Sequence, residues 1–459
     1  MNTQVQLNST RISVLSIPKD KYWMFTSPIL QLLHQEASKY PSNDSDTESS
    51  DDESSVNDYS DTDSSSDHEG TTHSNASGHI NGTHGTHGLH GTGANGHIGL
   101  SSPIDNTSKQ TNSIDQVNVS ESDEDYTTED SSDDEMNYFF HIAFTPQECT
   151  VMCDSTVMGS IFAEPLKTCK QLDNSQVKLL DDEFITLQVD SSDGYDNSSK
   201  VLSLTKPLST NNIPLFFLST HFGDIVLIPE SSKEKVVDIL TSKNFEFSNL
   251  SNSYINVQDQ GSHTIETAKL DGGASPNLDI EQRAFDLFQQ ANVSPIINKS
   301  TKLLLTGARS SEASRTLLKT AQILASTDIQ SVYFPQYFAI TRTSLNEVSL
   351  LLPKSSELRG RLGFPSKCII GSTQDAIIPI TIDLHALPLD TTGIVAGLAS
   401  KLLSGSKKKS QIPLEMSYLS MAKAGIVMIP QEDVELVSNI LREDVTRQLV
   451  DPIDSLRLE

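Results

Sequence analysis

The side chains able to do covalent or metal chemistry in this chain of 459 residues are few and scattered. Four cysteines, Cys149, Cys153, Cys169 and Cys368, contain no Cys-x-x-Cys pair. Neither a disulfide framework nor a zinc site is indicated, and unpaired thiols in a reducing compartment are expected. His141, His221 and His385 stand isolated in apolar or turn contexts, where a hydrogen-bonded structural histidine is the commoner outcome. No GxSxG, P-loop, HExxH or GxGxxG sits at a strand-to-helix junction. No catalytic residue, metal or cofactor is expected, which leaves binding as the chemistry to look for.

Charge is concentrated in one segment. Of 61 acidic and 33 basic residues, residues 41–135 hold 22 acids and only Lys109, a net of −21 out of −28. The other 39 acids and 32 bases describe a mildly acidic protein without a basic stripe, so no nucleic-acid partner is expected. The segment alternates acidic serine blocks with a Gly/His tract around His84, His87 and His90. It has too little apolar surface to offset its ordering entropy and is expected to be disordered. Acid-directed phosphorylation and weak metal binding are possible uses; the simplest reading is a tolerated expansion of a surface loop. The N-terminus is polar and no stretch approaches the ~18 apolar residues of a membrane span, so a soluble, cytosolic protein is expected.

The strongest signal is a repeat. "LSTHFGDIVLIPE" from Leu218 returns as "LSMAKAGIVMIPQ" from Leu419, an offset of 201 that holds without a gap to Leu240 and Leu441. Ten of these 23 positions are identical, including Leu218, Ser219, Ile225, Val226, Ile228 and Pro229. An internal duplication follows.

Each copy reads as strand, helix, strand, strand, helix. In the later copy "DAIIPITIDL" is a strand, and a helix follows with Ile394, Leu398 and Leu402 on one face behind an Asp390/Thr391 cap. Strands "LEMSYLSM" and "GIVMIP" then meet at a tight turn over 422–425. The same order recurs in "RISVLSI", "YWMFTSPILQLLHQ", "YFFHIAF" and "CTVMC", and again in "KLLLTGA", "EASRTLLKTAQILAS", "YFAITRT" and "EVSLLLP". The predicted fold is α+β, with four modules in two similar halves. Their expected bounds are 9–40 plus 136–175 (split by the 41–135 insert), 180–250, 300–366 and 367–450, with a linker and short helix over 251–295.

"RISVLSIPKDKYWMFTSPILQLL", "FTPQECTVMCD", "LSTHFGDIVLIPE" and "TTGIVAGLASKLL" followed by "YLSMAKAGIVMIP" resemble, in that order, the CASTOR family of cytosolic arginine sensors. The resemblance implies four tandem ACT (ferredoxin-like) domains and an amino acid buried between the second and fourth. It implies that occupancy controls docking on the GATOR complex of TOR signalling, and a homodimer through the odd-numbered modules. By position, the implied ligand contacts are Pro214, Leu215, Thr391, Gly393, Ile394, Met421, Ala422 and Gly425, with Asp390 nearby, and the implied docking patch is His221, Phe222 and Asp224. At a hairpin tip, His221 and Phe222 are expected to be exposed for recognition.

Physics supports a ligand seat at Gly393. A glycine at a helix start opens backbone N–H groups at the positive end of the macrodipole to an α-carboxylate. The same small residues, with Ala396, Gly397 and Ala399, also suit close helix packing, and the two readings are compatible. The family's acids for a guanidinium are replaced by Gly425 and Thr391, and a serine by Pro214, which has no N–H to donate. Burying a guanidinium among these residues alone would cost several kcal/mol. Three classes are therefore carried: an amino-acid-responsive regulator, a ligand-free scaffold whose pocket Met421 fills, and, with no stretch left for a catalytic domain, an enzyme only by default.

Overall fold

The computed structural model describes residues 3–40, 138–172, 176–190, 197–248, 276–326, 334–409 and 414–442. The acidic insert, with its serine blocks and His tract, and most of the 251–295 linker lie outside the described residues.

Twelve strands form the frame: β1 (Thr3–Pro18), β2 (Phe140–Phe144), β3 (Glu148–Asp154), β4 (Phe184–Asp190), β5 (Phe216–Ser219), β6 (Gly223–Pro229), β7 (Leu303–Ala308), β8 (Phe338–Arg342), β9 (Val348–Pro353), β10 (Ile377–Asp383), β11 (Ser417–Ser420) and β12 (Ala424–Pro430). Their order is β7-β9-β8-β2-β3-β1-β4-β6-β5-β11-β12-β10, and a pairing of Leu303 with Ile377 joins β7 back to β10. The sheet thus closes into a ring, which leaves no free edge along this path. Within each consecutive set of three strands the third lies between the first and second, as a crossover helix between the first two demands.

Closure buries both faces of the strands, which explains why β2, β3 and β9 read as nearly continuous apolar runs. The inner face gathers residues from all four strand sets, among them Val14, Met152, Leu227, Leu351, Ile426 and Met428. Outside, helices α1 (Thr26–Ser38) and α4 (Asn197–Thr210), with the shorter α2 (Ser155–Ile161), α3 (Ala163–Gln171) and α5 (Lys233–Thr241), come from the first half of the chain, and α7 (Ala313–Ser326) and α9 (Ile394–Lys409), with the shorter α8 (Ser356–Arg361), from the second. Leu32, Leu33 and Leu317 on α1 and α7 cover Ile142, Ile340 and Leu350; Leu204, Leu208, Leu398 and Leu402 on α4 and α9 cover Leu187, Ile380 and Val427. Helix α6 (Pro276–Gln290) crosses α9 so closely that a Cβ on Gly397 would collide with that of Ala284.

The duplicated segments meet face to face. Leu218 of β5 pairs with Leu419 of β11. On either side the serines of the repeat exchange equivalent bonds, Tyr418 N–H to Ser219 Oγ at 3.1 Å and Phe217 N–H to Ser420 Oγ at 2.8 Å. Residues identical in the two copies therefore occupy the seam between them.

Two expectations need correction. The first strand, expected over 11–17, begins at Thr3, and its added half pairs with β4 from Val5↔Val189 to Asn8↔Thr186 and lies parallel to a short strand, Phe245–Ser248. Val5 and Leu7 alternate with glutamines there, a period-two pattern masked by its polarity. Helix α9 starts at Ile394, and Thr391 does not cap it: its hydroxyl donates to the Pro388 carbonyl at 2.6 Å.

One cation is buried in the fold between Tyr40 and Tyr138. Arg342 has no exposed surface; its Nη1 donates to Glu36 Oε2 at 2.7 Å and to the Glu36 carbonyl at 3.0 Å. Its guanidinium lies 4.7 Å from the Tyr40 ring centre and 4.9 Å from that of Tyr138. Tyr40 and Tyr138, the described residues on either side of 41–137, therefore rest on the same guanidinium.

Candidate functional site

A cavity of about 220 Å³ opens where β5 and β11 meet. One wall comes from Leu180–Asp182, Phe184 and the approach to β5 at Pro214–Phe216. The other is the loop 384–393, the first turn of α9 at Ile394 and Val395, Tyr418 and Ser420 of β11, and the β11–β12 tip at Met421, Ala422 and Ala424. Its volume lies below the ~300–1,000 Å³ typical of drug-sized ligand sites, which suits a metabolite of amino-acid size.

Eight of the nine sequence-designated ligand residues line this one cavity: Pro214, Leu215, Asp390, Thr391, Gly393, Ile394, Met421 and Ala422. Gly425 does not. It lies beneath Tyr418, and any Cβ at 425 would strike the tyrosine hydroxyl. Tyr418 thus fills the space beside Gly425. Burial pushes the Tyr418 phenol well above its ordinary range, so it stays neutral.

The loop is built for an open helix start. Thr391 N–H closes a turn on the Pro388 carbonyl at 3.2 Å, and Leu384 N–H is tied to the Lys423 carbonyl of the hairpin tip at 2.9 Å. Gly393 then takes φ of +89°, a left-handed conformation that favours glycine, with nothing within 4 Å of where a Cβ would stand. Its carbonyl accepts from Gly397 N–H at 2.8 Å. Glycine in the capping position brings no side-chain oxygen of its own to the first amides of α9, an arrangement that suits an anion. The small residues of α9 therefore divide their work: Gly397 permits the crossing of α6, and Gly393 opens the helix end.

The charged residues lining the cavity are Asp181, Asp182 and Asp390, all exposed. No lysine or arginine lines it. The rim is thus negative and attracts a cation, beside a helix end that attracts an anion. Sequence reasoning missed Asp181, Asp182, Phe184, Tyr418 and Ser420. The acidic run "DDE" ahead of β4 was a usable signal; the tyrosine had none.

His221, Phe222 and Asp224 surround the β5–β6 tip, and the expected exposure of that tip is corrected. His221 and Phe222 are only partly exposed, with ring centres 5.1 Å apart at 85°. Both rings rest against the Cα of Gly307 on β7, and His221 also covers Gly371. His221 N–H donates to Ser349 Oγ on β9 at 2.9 Å. The glycines provide the room, and the aromatic tip folds onto the chain's own third strand set.

Burial pushes the Asp224 carboxyl up to about 6, against opposing effects of the Ser219 hydroxyl and Lys200. Because the folded-state value lies above the ordinary one, folded protein holds this proton more tightly. Its contribution is fully present below about pH 4 and is lost as pH rises through 6, to a limit of about 3 kcal/mol. Asp224→Asn is therefore expected to gain stability over the parent between pH 4 and pH 7, read from urea midpoints at both values. Parallel profiles for the two proteins would contradict it.

Among the described residues no group of three or more His, Cys, Asp or Glu is placed to hold a metal ion, and no helix is long and apolar enough to cross a membrane. All four cysteines are free and buried.

Two segments resemble a known family. Residues 179–242 and 372–443 each match the ACT domain family model. These segments contain the two walls of the cavity, and each is similar to an ACT domain. No curated protein matches the chain. Among solved structures, a crystallised protein from Agobacterium tumefaciens is 18% identical, over 24% of this chain and 85% of its own, with a TM-score of 0.18. Aspartate kinase from Synechocystis is 9% identical over 65% of this chain and 48% of that chain, with a TM-score of 0.22.

Proposed function

We propose that the protein is a non-catalytic, amino-acid-binding regulator built from four ACT modules, and that the cavity at the β5–β11 seam is its ligand site. The observation that carries this reading is the union, in one amino-acid-sized cavity, of an uncapped helix end and a rim of three carboxylates. A zwitterion meets both: its carboxylate takes the first amides of α9, and its cationic end faces Asp390, Asp181 and Asp182. The apolar lining of Leu215, Phe184, Leu387, Ile394 and Met421 receives the rest of the molecule.

The resemblance to cytosolic arginine sensors extends the proposal to TOR signalling in the cytosol, where occupancy would set docking on a GATOR-type complex and the protein could pair with itself. The match of both cavity walls to ACT domains supports the amino-acid part of this reading. A thermal-shift screen against the twenty amino acids tests it. A ligand at a hundredfold excess over its dissociation constant should stabilise the fold by about 2.7 kcal/mol. No shift with any amino acid would leave the alternative, a ligand-free scaffold.

A further inference from the structure

The cavity hairpin is held from outside its own half of the molecule. The tip is closed by Met421 N–H to the Ala424 carbonyl at 2.8 Å, which turns the amides of Ala422 and Lys423 outward. Both find side-chain acceptors on β3. Ala422 N–H donates to Thr150 Oγ1 at 3.1 Å and Lys423 N–H to Glu148 Oε1 at 3.0 Å. Glu148 is 1% exposed, and its second oxygen accepts from the Ser16 hydroxyl of β1 at 2.9 Å. Near this carboxylate lie the Lys423 side chain and His385, whose Nδ1 is bonded to Asp383 Oδ1 at 2.7 Å. The Lys423 carbonyl in turn holds Leu384, where the cavity loop begins. A continuous run of bonds therefore links Ser16, Glu148, the hairpin tip and the wall containing Thr391 and Gly393.

The duplicated hairpin lacks this carboxylate. His221 N–H reaches the neutral Ser349 hydroxyl, Phe222 N–H turns back to its own Thr220 Oγ1 at 3.2 Å, and Glu347, at the corresponding turn, accepts from Thr343 at 2.8 Å instead. Among the described residues, only the hairpin that lines the cavity has a tip amide fastened to a buried acid of another strand set. A buried carboxylate is costly unless its bonds are all made, so it fixes one geometry more firmly than a hydroxyl does.

We propose that Glu148 is a positioning residue for the cavity: through the Lys423 amide it sets the hairpin tip against the first strand set, and so couples occupancy of the cavity to the part of the molecule that carries no ligand. The coupling rests on the reading of the cavity as a ligand site; the positioning does not. By linkage, a ligand that orders the tip must also tighten this strap.

The test uses the full chain with Glu148→Leu, Glu148→Gln and, should the leucine variant fail to fold, Thr150→Val. Hydrogen exchange is followed without ligand in peptides covering 419–426, with 218–225 as the internal control. Glu148→Leu is expected to raise exchange at the cavity hairpin about tenfold, the weight of one charge-assisted bond, and to leave the control hairpin unchanged. Glu148→Gln keeps an acceptor oxygen and should restore most of the protection. Thr150→Val should raise exchange at the same hairpin alone. Equal exchange in wild type and Glu148→Leu, or equal loosening of both hairpins, would overturn the positioning role. Calorimetry with each of the twenty amino acids forms the second arm: affinity should fall about fivefold or more in Glu148→Leu. Unchanged affinity would overturn the coupling. Absence of binding in wild type would instead refute the ligand site, while the exchange result still decides the role of Glu148.

Discussion

Arg342→Ala should lower the unfolding free energy by about 3–5 kcal/mol, the cost typical of breaking a buried ion pair and stranding its partner. Glu36, 5% exposed, would lose the 2.7 Å bond from Nη1 and keep only the 2.8 Å contact with Lys39. The Tyr40 and Tyr138 rings would lose the cation they both contact. Arg342→Lys should recover little, because a compact ammonium cannot lie flat between two rings while donating to Glu36 and to the Ser344 carbonyl. Urea unfolding of the three proteins checks this, and an alanine variant within about 1 kcal/mol of the parent would contradict it.

The second large effect is expected at Gly425. Gly425→Asp would place a Cβ against the Tyr418 hydroxyl and a carboxylate in a buried position. Overpacking and an unpartnered charge together should cost about 4 kcal/mol. If the collision with Tyr418 is the cause, Gly425→Asp with Tyr418→Ala should cost at least about 1 kcal/mol less than the sum of the single changes. Strict additivity would show that Tyr418 does not occupy the space. The cycle also bears on the ligand, because Tyr418 forms part of the cavity wall.

The repeat made the site legible. An offset of 201 with identical Leu218/Leu419 and Ser219/Ser420 placed two hairpins in equivalent roles, and these residues turn out to bond across a pseudo-two-fold seam. Alternation and helical spacing located the strands and the main helices because each of those elements has a face in a core. Closure of the ring was not legible, since it depends on a single pairing of Leu303 with Ile377 between residues 74 apart. The fate of the β5–β6 tip was misread for a related reason. An aromatic pair at a turn is exposed only when nothing faces it, and here Gly307 and Gly371 do. The cap at Asp390/Thr391 failed because Pro388 competes for the threonine hydroxyl and Gly393 turns the chain before the helix begins. Asp181 and Asp182 were overlooked because nothing local says that a loop before β4 faces a helix two hundred residues away.

The seam between the duplicated hairpins is proposed to admit an amino acid. Isothermal titration of the twenty amino acids into the parent protein and into Leu215→Trp, in which an indole is placed in the cavity, addresses it directly. The account predicts saturable heat from at least one amino acid with the parent and its loss with the tryptophan variant. Equal binding by both proteins, or no heat from any of the twenty with the parent, would contradict it.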